Sequence, residues 1–191
     1  MLNKKLGPRL ELPLSRIARL LPVTPNALTV GGFVLTVCAC GVLAFNMRAG
    51  GILVLLASSF DMLDGAVARA RGMQTAFGAF LDSVLDRYAD AAMLLAVAWN
   101  MFMQGDTVGV SLALLMLVGA SLVSYTRARA EGLGATCTQG LMERPERILL
   151  VAAGAISGYM VPLLWIMTVL THLTAVQRIL HTRQQLLGKS D

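Results

Sequence analysis

Four aspartates carry the chemistry open to this chain. Asp61 and Asp64 stand three residues apart, and Asp82 and Asp86 four apart, in stretches otherwise rich in Ala, Leu, Val and Phe. Such spacings place both carboxylates of a pair on one face of a helix. An acid at the centre of a membrane-spanning helix costs roughly 2.5–3.5 kcal/mol on insertion scales, so four close together point to function. A tight turn near 71–72 would fold one pair onto the other. The converging carboxylates would then repel, and some would take up protons, unless cations lay between them. Oxygen donors alone, with no His or Cys close in sequence, favour Mg²⁺, Mn²⁺ or Ca²⁺ over zinc. Two such ions held by shared carboxylates can clamp a diphosphate and stabilise charge during displacement at phosphorus. Ion pairing with Arg69, Arg71 and Arg87 would also satisfy the acids, but three arginines do not require this spacing. Asp90, one turn further on, reads as a helix-pairing residue rather than a ligand.

The elements that must position these residues are apolar helices. Apolar residues make up 56% of the 191-residue chain and charged residues 14%, against about 45–50% and about 25% in soluble domains. The expected fold is an all-α integral membrane protein with six transmembrane helices, at roughly 27–47, 51–70, 75–103, 107–130, 147–160 and 161–180. Short connections are expected at 48–50, 104–106 and 158–162, and one long loop at 131–146. Residues 1–22 interleave apolar side chains with Lys4, Lys5, Arg9, Arg16 and Arg19, the pattern of an N-terminal amphipathic helix on the membrane interface rather than a signal peptide. A six-helix domain over 23–185 and a cytoplasmic tail over 186–191 complete the organisation. With six spans, 15 of the 16 Lys and Arg residues fall on one side, Arg48 being the exception. That side is expected to be cytoplasmic, holding both termini and the acidic site. The net charge of +5 therefore belongs to the membrane surface and not to nucleic acid. Cys38 and Cys40 read as buried apolar residues, and Cys137 as a loop residue; the three form no metal or disulfide framework.

Small residues accompany the acids: Gly65 follows Asp64, and Ala68 and Gly78 lie nearby, allowing helices or a ligand to approach closely. Written out, the stretch is Asp61-x2-Asp64-Gly65-x2-Ala68-Arg69-x8-Gly78-x3-Asp82-x3-Asp86, eight fixed residues over 26 positions. It resembles the signature of the CDP-alcohol phosphotransferases, and the six-span architecture is similar to theirs. The resemblance implies a CDP-linked donor, usually CDP-diacylglycerol, an alcohol acceptor and release of CMP. It also implies two metal ions per active site, Mg²⁺ or Mn²⁺, on Asp61, Asp64, Asp82 and Asp86, with Asp86 as general base. Asp61, Asp64, Gly65, Ala68, Arg69, Thr75, Gly78 and Asp82 would then form the CDP site, in a protein that is usually a homodimer. Gly109 and Gly119 are helix-packing glycines compatible with such an interface.

Three later stretches resemble the group within this family that forms phosphatidylinositol phosphate: residues 124–131 (Ser-Tyr-Thr-Arg-Ala-Arg-Ala-Glu), residues 143–147 (Glu-Arg-Pro-Glu-Arg) and Gln177-Arg178. Thr24-Pro25-Asn26-x2-Thr29 is similar as well. By this resemblance Arg127, Arg129, Arg147 and Arg178 surround the phosphate of inositol 1-phosphate. The first of these is commonly lysine in that group; arginine can grip phosphate through two hydrogen bonds. Four arginines at the ends of three spans exceed what one lipid phosphate needs, which independently favours a phosphorylated acceptor. Glycerol 3-phosphate would fit the same reasoning, and archaetidylinositol phosphate synthases share much of the pattern. A small transporter or channel would instead require acids near the bilayer centre and repeat symmetry; neither is evident.

Overall fold

A computed structural model describes the backbone of residues 24–71, 75–137 and 139–188, and the side chains of all of these except 60–71. The expected interfacial helix over 1–22 lies outside the described residues. The described chain is all-helical, with six helices in order: α1 Pro25–Phe45, α2 Met47–Arg71, α3 Ala76–Met103, α4 Thr107–Gly132, α5 Arg144–Ser157 and α6 Met160–Leu187.

Local chemistry sets the ends. Thr24 and Thr75 precede α1 and α3 in extended conformation and accept hydrogen bonds from the backbone of Ala27 and Gly78. Asp106 does the same for Gly109 at the start of α4. These side chains satisfy amide donors that the first helical turn leaves unpaired. Pro25 and Pro145 occupy first-turn positions, where a missing N–H costs nothing. Helix α5 stops at Gly158, whose φ of +83° is the left-handed conformation that glycine adopts without strain.

Helix neighbours close into a ring: α1, α2, α5, α6, α4, α3 and back to α1. Leu43, Val54, Val97, Met116, Leu164 and Met167 fill its interior. Large apolar side chains such as Leu35, Leu56, Trp99, Leu115, Trp165 and Ile166 cover the outside, as a lipid-facing surface requires. Cys40 is buried while Cys38, against expectation, is exposed; two residues along a helix turns the side chain to a different face. Among the described residues, three helices, α1, α4 and α6, are long and apolar enough to cross a membrane. Acids interrupt α2 and α3, and α5 has only 14 residues.

One expected connection moves. The first break is not at 48–50 but at Asn46, whose Oδ1 accepts from the backbone N–H of Ala49 at 3.1 Å. Gly50 and Gly51 are helical. A Cβ on Gly51 would lie 2.7 Å from the Ala155 Cβ, so its lack of a side chain lets α2 and α5 touch. Gly109 and Gly119 likewise face their own chain, against Met101 and Thr171. Helix α6 runs to Leu187, past the expected start of the tail.

Candidate active site

The described half of the acidic site is a stripe on α3. Gly78, Asp82, Asp86 and Asp90 recur every four residues and so follow one another along a single face. The start of α1 lies against the upper part of this stripe. A Cβ on Gly78 would come within 3.0 Å of both Asn26 Oδ1 and Thr75 Oγ1, so glycine here permits α1 and the α3 cap to meet. Thr75 is committed to that cap through the Gly78 N–H at 2.9 Å. Lower down, Thr29, Phe33, Asp82, Leu85, Asp86, Ala89 and Arg144 line a small cleft. Asp61, Asp64, Gly65, Ala68 and Arg69 lie on the last turns of α2, with side chains outside the described residues.

Two arginines of α5 meet the lower acids. Arg144 Nη1 lies 2.7 Å from Asp86 Oδ1, and its Nε 3.5 Å from Asp90 Oδ1. Arg147 Nη2 pairs with Asp90 Oδ2, and its Nη1 donates to the Met142 carbonyl at 3.3 Å. The Asp90 and Arg147 residues are 5% and 2% exposed. Burial of unpaired charge is prohibitive, so each stabilises the other in place. Arg87 Nη2 stands 3.6 Å from Asp86 Oδ2.

The arginines expected around the acceptor separate into two kinds. Arg147 and Arg178 are buried, whereas Arg127 and Arg129 are exposed. Arg178 donates from Nε to the Gln139 carbonyl at 2.8 Å and from Nη1 to the Val123 carbonyl. Its Nη2 stands 4.0 Å from Glu143, and it lies within electrostatic range of both Arg127 and Arg147. Arg127 pairs with Glu131 at 2.9 Å. Arg147, Arg178 and Thr174, which accepts from the Met142 N–H, together hold residues 139–142 of the long loop against α5 and α6.

Arg144 is the residue that sequence reasoning missed: it entered only as one of the basic residues of the charged side and as part of the 143–147 stretch, with no place at the acids. A signal existed: Arg144 and Arg147 are one turn apart on α5, matching Asp86 and Asp90 one turn apart on α3. Among the described residues no three His, Cys, Asp or Glu side chains gather to hold a metal; the expected set includes two acids outside them. The donors present nonetheless fit a hard divalent ion. Asp82 and Asp86 line one cleft and offer carboxylate oxygens, the donor type that such ions take.

Residues 22–182 match the CDP-alcohol phosphatidyltransferase family. An archaetidylinositol phosphate synthase of Methanothermobacter thermautotrophicus is 37% identical, covering 89% of this chain and 88% of that one. A phosphatidylinositol phosphate synthase of Mycobacteroides abscessus is also 37% identical, covering 93% and 86%. The crystal structure of the Mycobacterium tuberculosis phosphatidylinositol phosphate synthase with CDP-DAG bound superposes with a TM-score of 0.83 at 33% identity, covering 91% of this chain and 94% of that one. A second structure of the same protein, in complex with manganese and citrate, gives 0.82 at 31% identity and covers 90% and 88%.

Proposed function

The chain belongs to the CDP-alcohol phosphatidyltransferase family, and from that premise we propose that it transfers a phosphatidyl group from CDP-diacylglycerol to inositol 1-phosphate. The products are phosphatidylinositol phosphate and CMP. The observation that carries this reading is similarity over about nine-tenths of the chain to two synthases whose names share an inositol phosphate headgroup. Those names differ in the lipid, so an archaeal-type CDP-lipid is the second reading of the donor. The CDP-DAG bound to the Mycobacterium tuberculosis relative favours the diacyl form.

The acceptor hydroxyl oxygen attacks the phosphorus that carries the lipid. The bond from that phosphorus to the oxygen of CMP breaks, and CMP leaves with the electron pair. Asp86 takes the hydroxyl proton, a role within reach of a carboxylate that lines the cleft on the same helix face as Asp82. Asp61, Asp64, Asp82 and Asp86 would hold two Mg²⁺ or Mn²⁺ ions, which when bound neutralise the diphosphate and the charge that develops on the leaving CMP. Gly65, Ala68, Arg69, Thr75 and Gly78 would complete the CDP site. Arg127, Arg129, Arg147 and Arg178 would supply the positive field for the acceptor phosphate. The manganese complex of the relative supports the choice of ion.

The enzyme is read as an integral membrane homodimer with six spans, both termini and the site being on the cytoplasmic side of the cell membrane. Basic residues at the helix ends support that orientation. The test is a competition among inositol 1-phosphate, glycerol 3-phosphate, inositol and serine for labelled CDP-diacylglycerol, with CMP release by the purified protein as readout. Inositol 1-phosphate should dominate. Preference for an unphosphorylated alcohol would refute the reading.

A further inference from the structure

We infer that Asp90 is a positioning residue for both halves of the reaction, setting Arg144 against the Asp86 carboxylate and Arg147 beside the acceptor phosphate. The inference rests on the functional reading above. Its basis is the way one buried carboxylate divides its two oxygens. Oδ1 faces Arg144 Nε at 3.5 Å, and Oδ2 pairs with Arg147 Nη2. Arg144 continues to Asp86 Oδ1 at 2.7 Å, and Arg147 continues to the Met142 carbonyl at 3.3 Å. A chain of alternating charge thus runs from the proposed base, through Arg144, Asp90 and Arg147, to the long loop.

Simple helix pairing does not account for all of this chain. The buried pair of Asp90 with Arg147 would by itself join α3 to α5. Arg144 is a different case: its side chain is 19% exposed and lines the cleft with Asp82 and Asp86. A guanidinium there is attracted to any phosphate or carboxylate that enters. With the Asp90 charge 3.5 Å from its Nε, it presents Nη1 to one oxygen of Asp86 and orients that carboxylate. Released, it competes for the diphosphate or settles wholly on Asp86. The same Asp90 charge fixes Arg147 at Nη2 while its Nη1 holds the Met142 carbonyl, so the guanidinium is set from both sides.

Asp90→Asn keeps the size of the side chain and removes its charge. In detergent-purified enzyme, kcat should fall about 10-fold and the KM for inositol 1-phosphate rise by about as much, as when an outer partner of a reacting group is lost. The KM for CDP-diacylglycerol should stay within about twofold. Asp90→Glu, which restores the charge, should recover most of both changes, and the selective rise in the acceptor KM is what a role in stability alone would not produce. A folded Asp90→Asn protein with wild-type constants, or with kcat lowered only by its unfolded fraction and both KM values unchanged, overturns the inference. Should Asp90→Asn fail to fold, Arg144→Gln breaks the bridge while leaving Arg147 paired. It should lower kcat with little change in the acceptor KM, and an unchanged kcat overturns the inference. Arg178→Gln is the control for the underlying reading, because it lies outside this chain of contacts. If it leaves the acceptor KM unaltered, the acceptor site is misassigned, whatever Asp90 does.

Discussion

The pair of Asp90 with Arg147 allows a quantitative test of how α3 and α5 are joined. Arg147→Met leaves the Asp90 carboxylate buried without its closest cation, and Asp90→Leu strands a guanidinium that is 2% exposed. Leaving one charge of a buried pair uncompensated costs about 3–5 kcal/mol. Replacing both removes the uncompensated charge. What then remains is the lost bond to the Met142 carbonyl, about 1 kcal/mol, and the lost contact of Asp90 with the partly exposed Arg144, at most about 1 kcal/mol. The double variant should therefore be destabilised by only about 2 kcal/mol, less than either single one. For a chain of this size each kcal/mol moves the melting temperature by about 2–4 °C. The single variants should melt on the order of 10 °C lower and the double variant only about 4–8 °C lower. Thermal melting in one detergent, followed by tryptophan fluorescence or by loss of monodisperse protein, gives the comparison. A double variant that melts at the sum of the two single shifts would show that the charges do not depend on each other. The double variant should still bind inositol 1-phosphate poorly, which separates the packing role from the functional one.

Three other outcomes follow from the geometry. Asp86→Asn keeps an oxygen for Arg144 but cannot accept a proton, so CMP release should drop by about 10²–10⁴-fold with melting little changed; full turnover would remove Asp86 from the role of base. Gly51→Val places a branched side chain where even a Cβ lies 2.7 Å from Ala155, and should cost about 1–3 kcal/mol, read as a lower melting temperature. An unchanged value would contradict the close approach of α2 and α5. Removal of divalent ions with EDTA should abolish CMP release and Mn²⁺ or Mg²⁺ should restore it, whereas activity retained in EDTA would count against a four-carboxylate metal site.

Local signals were legible in the sequence and tertiary ones were not. The helices at 25–45 and 107–132 follow from long apolar runs, and that at 76–103 from an apolar run whose acids recur at helical spacing; the caps Thr24, Thr75 and Asp106 that open them refine the expected starts by no more than two residues. Gly50 and Gly51 were misleading because glycine marks a turn and a tight helix contact equally well. The difference lies in Ala155, about a hundred residues away, and in Asn46, whose cap opens α2 earlier. The spacing of Asp82 and Asp86 on one helix face was legible, because i, i+4 needs only the helix itself. The division of labour among the arginines was not. Arg127 and Arg147 look alike as positive charges near helix ends, yet one is exposed and pairs within its own helix, while the other is buried against an acid 57 positions earlier.

Helix length explains how a polar site comes to lie inside an apolar ring. Helix α5 has 14 residues, a rise of about 21 Å, against a hydrocarbon thickness of about 30 Å. In the proposed six-span arrangement, the Ser157 end of α5 and the Met103 end of α3 lie on the same side. Counting back from those ends, Arg144 lies about 20 Å along α5 and Asp86 about 26 Å along α3. The short helix therefore begins near the depth of the acids, while α3 continues for about 15 Å more to Ala76. Proline at 145 and the preceding loop start α5 at that level, bringing Arg144 and Arg147 to Asp86 and Asp90. A full-length α5 would carry these arginines past the acids toward the membrane surface. It would also leave Asp90 without Arg147 and, among the described residues, Asp86 with only Arg87, at 3.6 Å, beside it. The shortness of α5 thus sets guanidinium groups against the acids where they stand, close enough to the interface for a water-soluble acceptor and deep enough for the phosphate of a lipid.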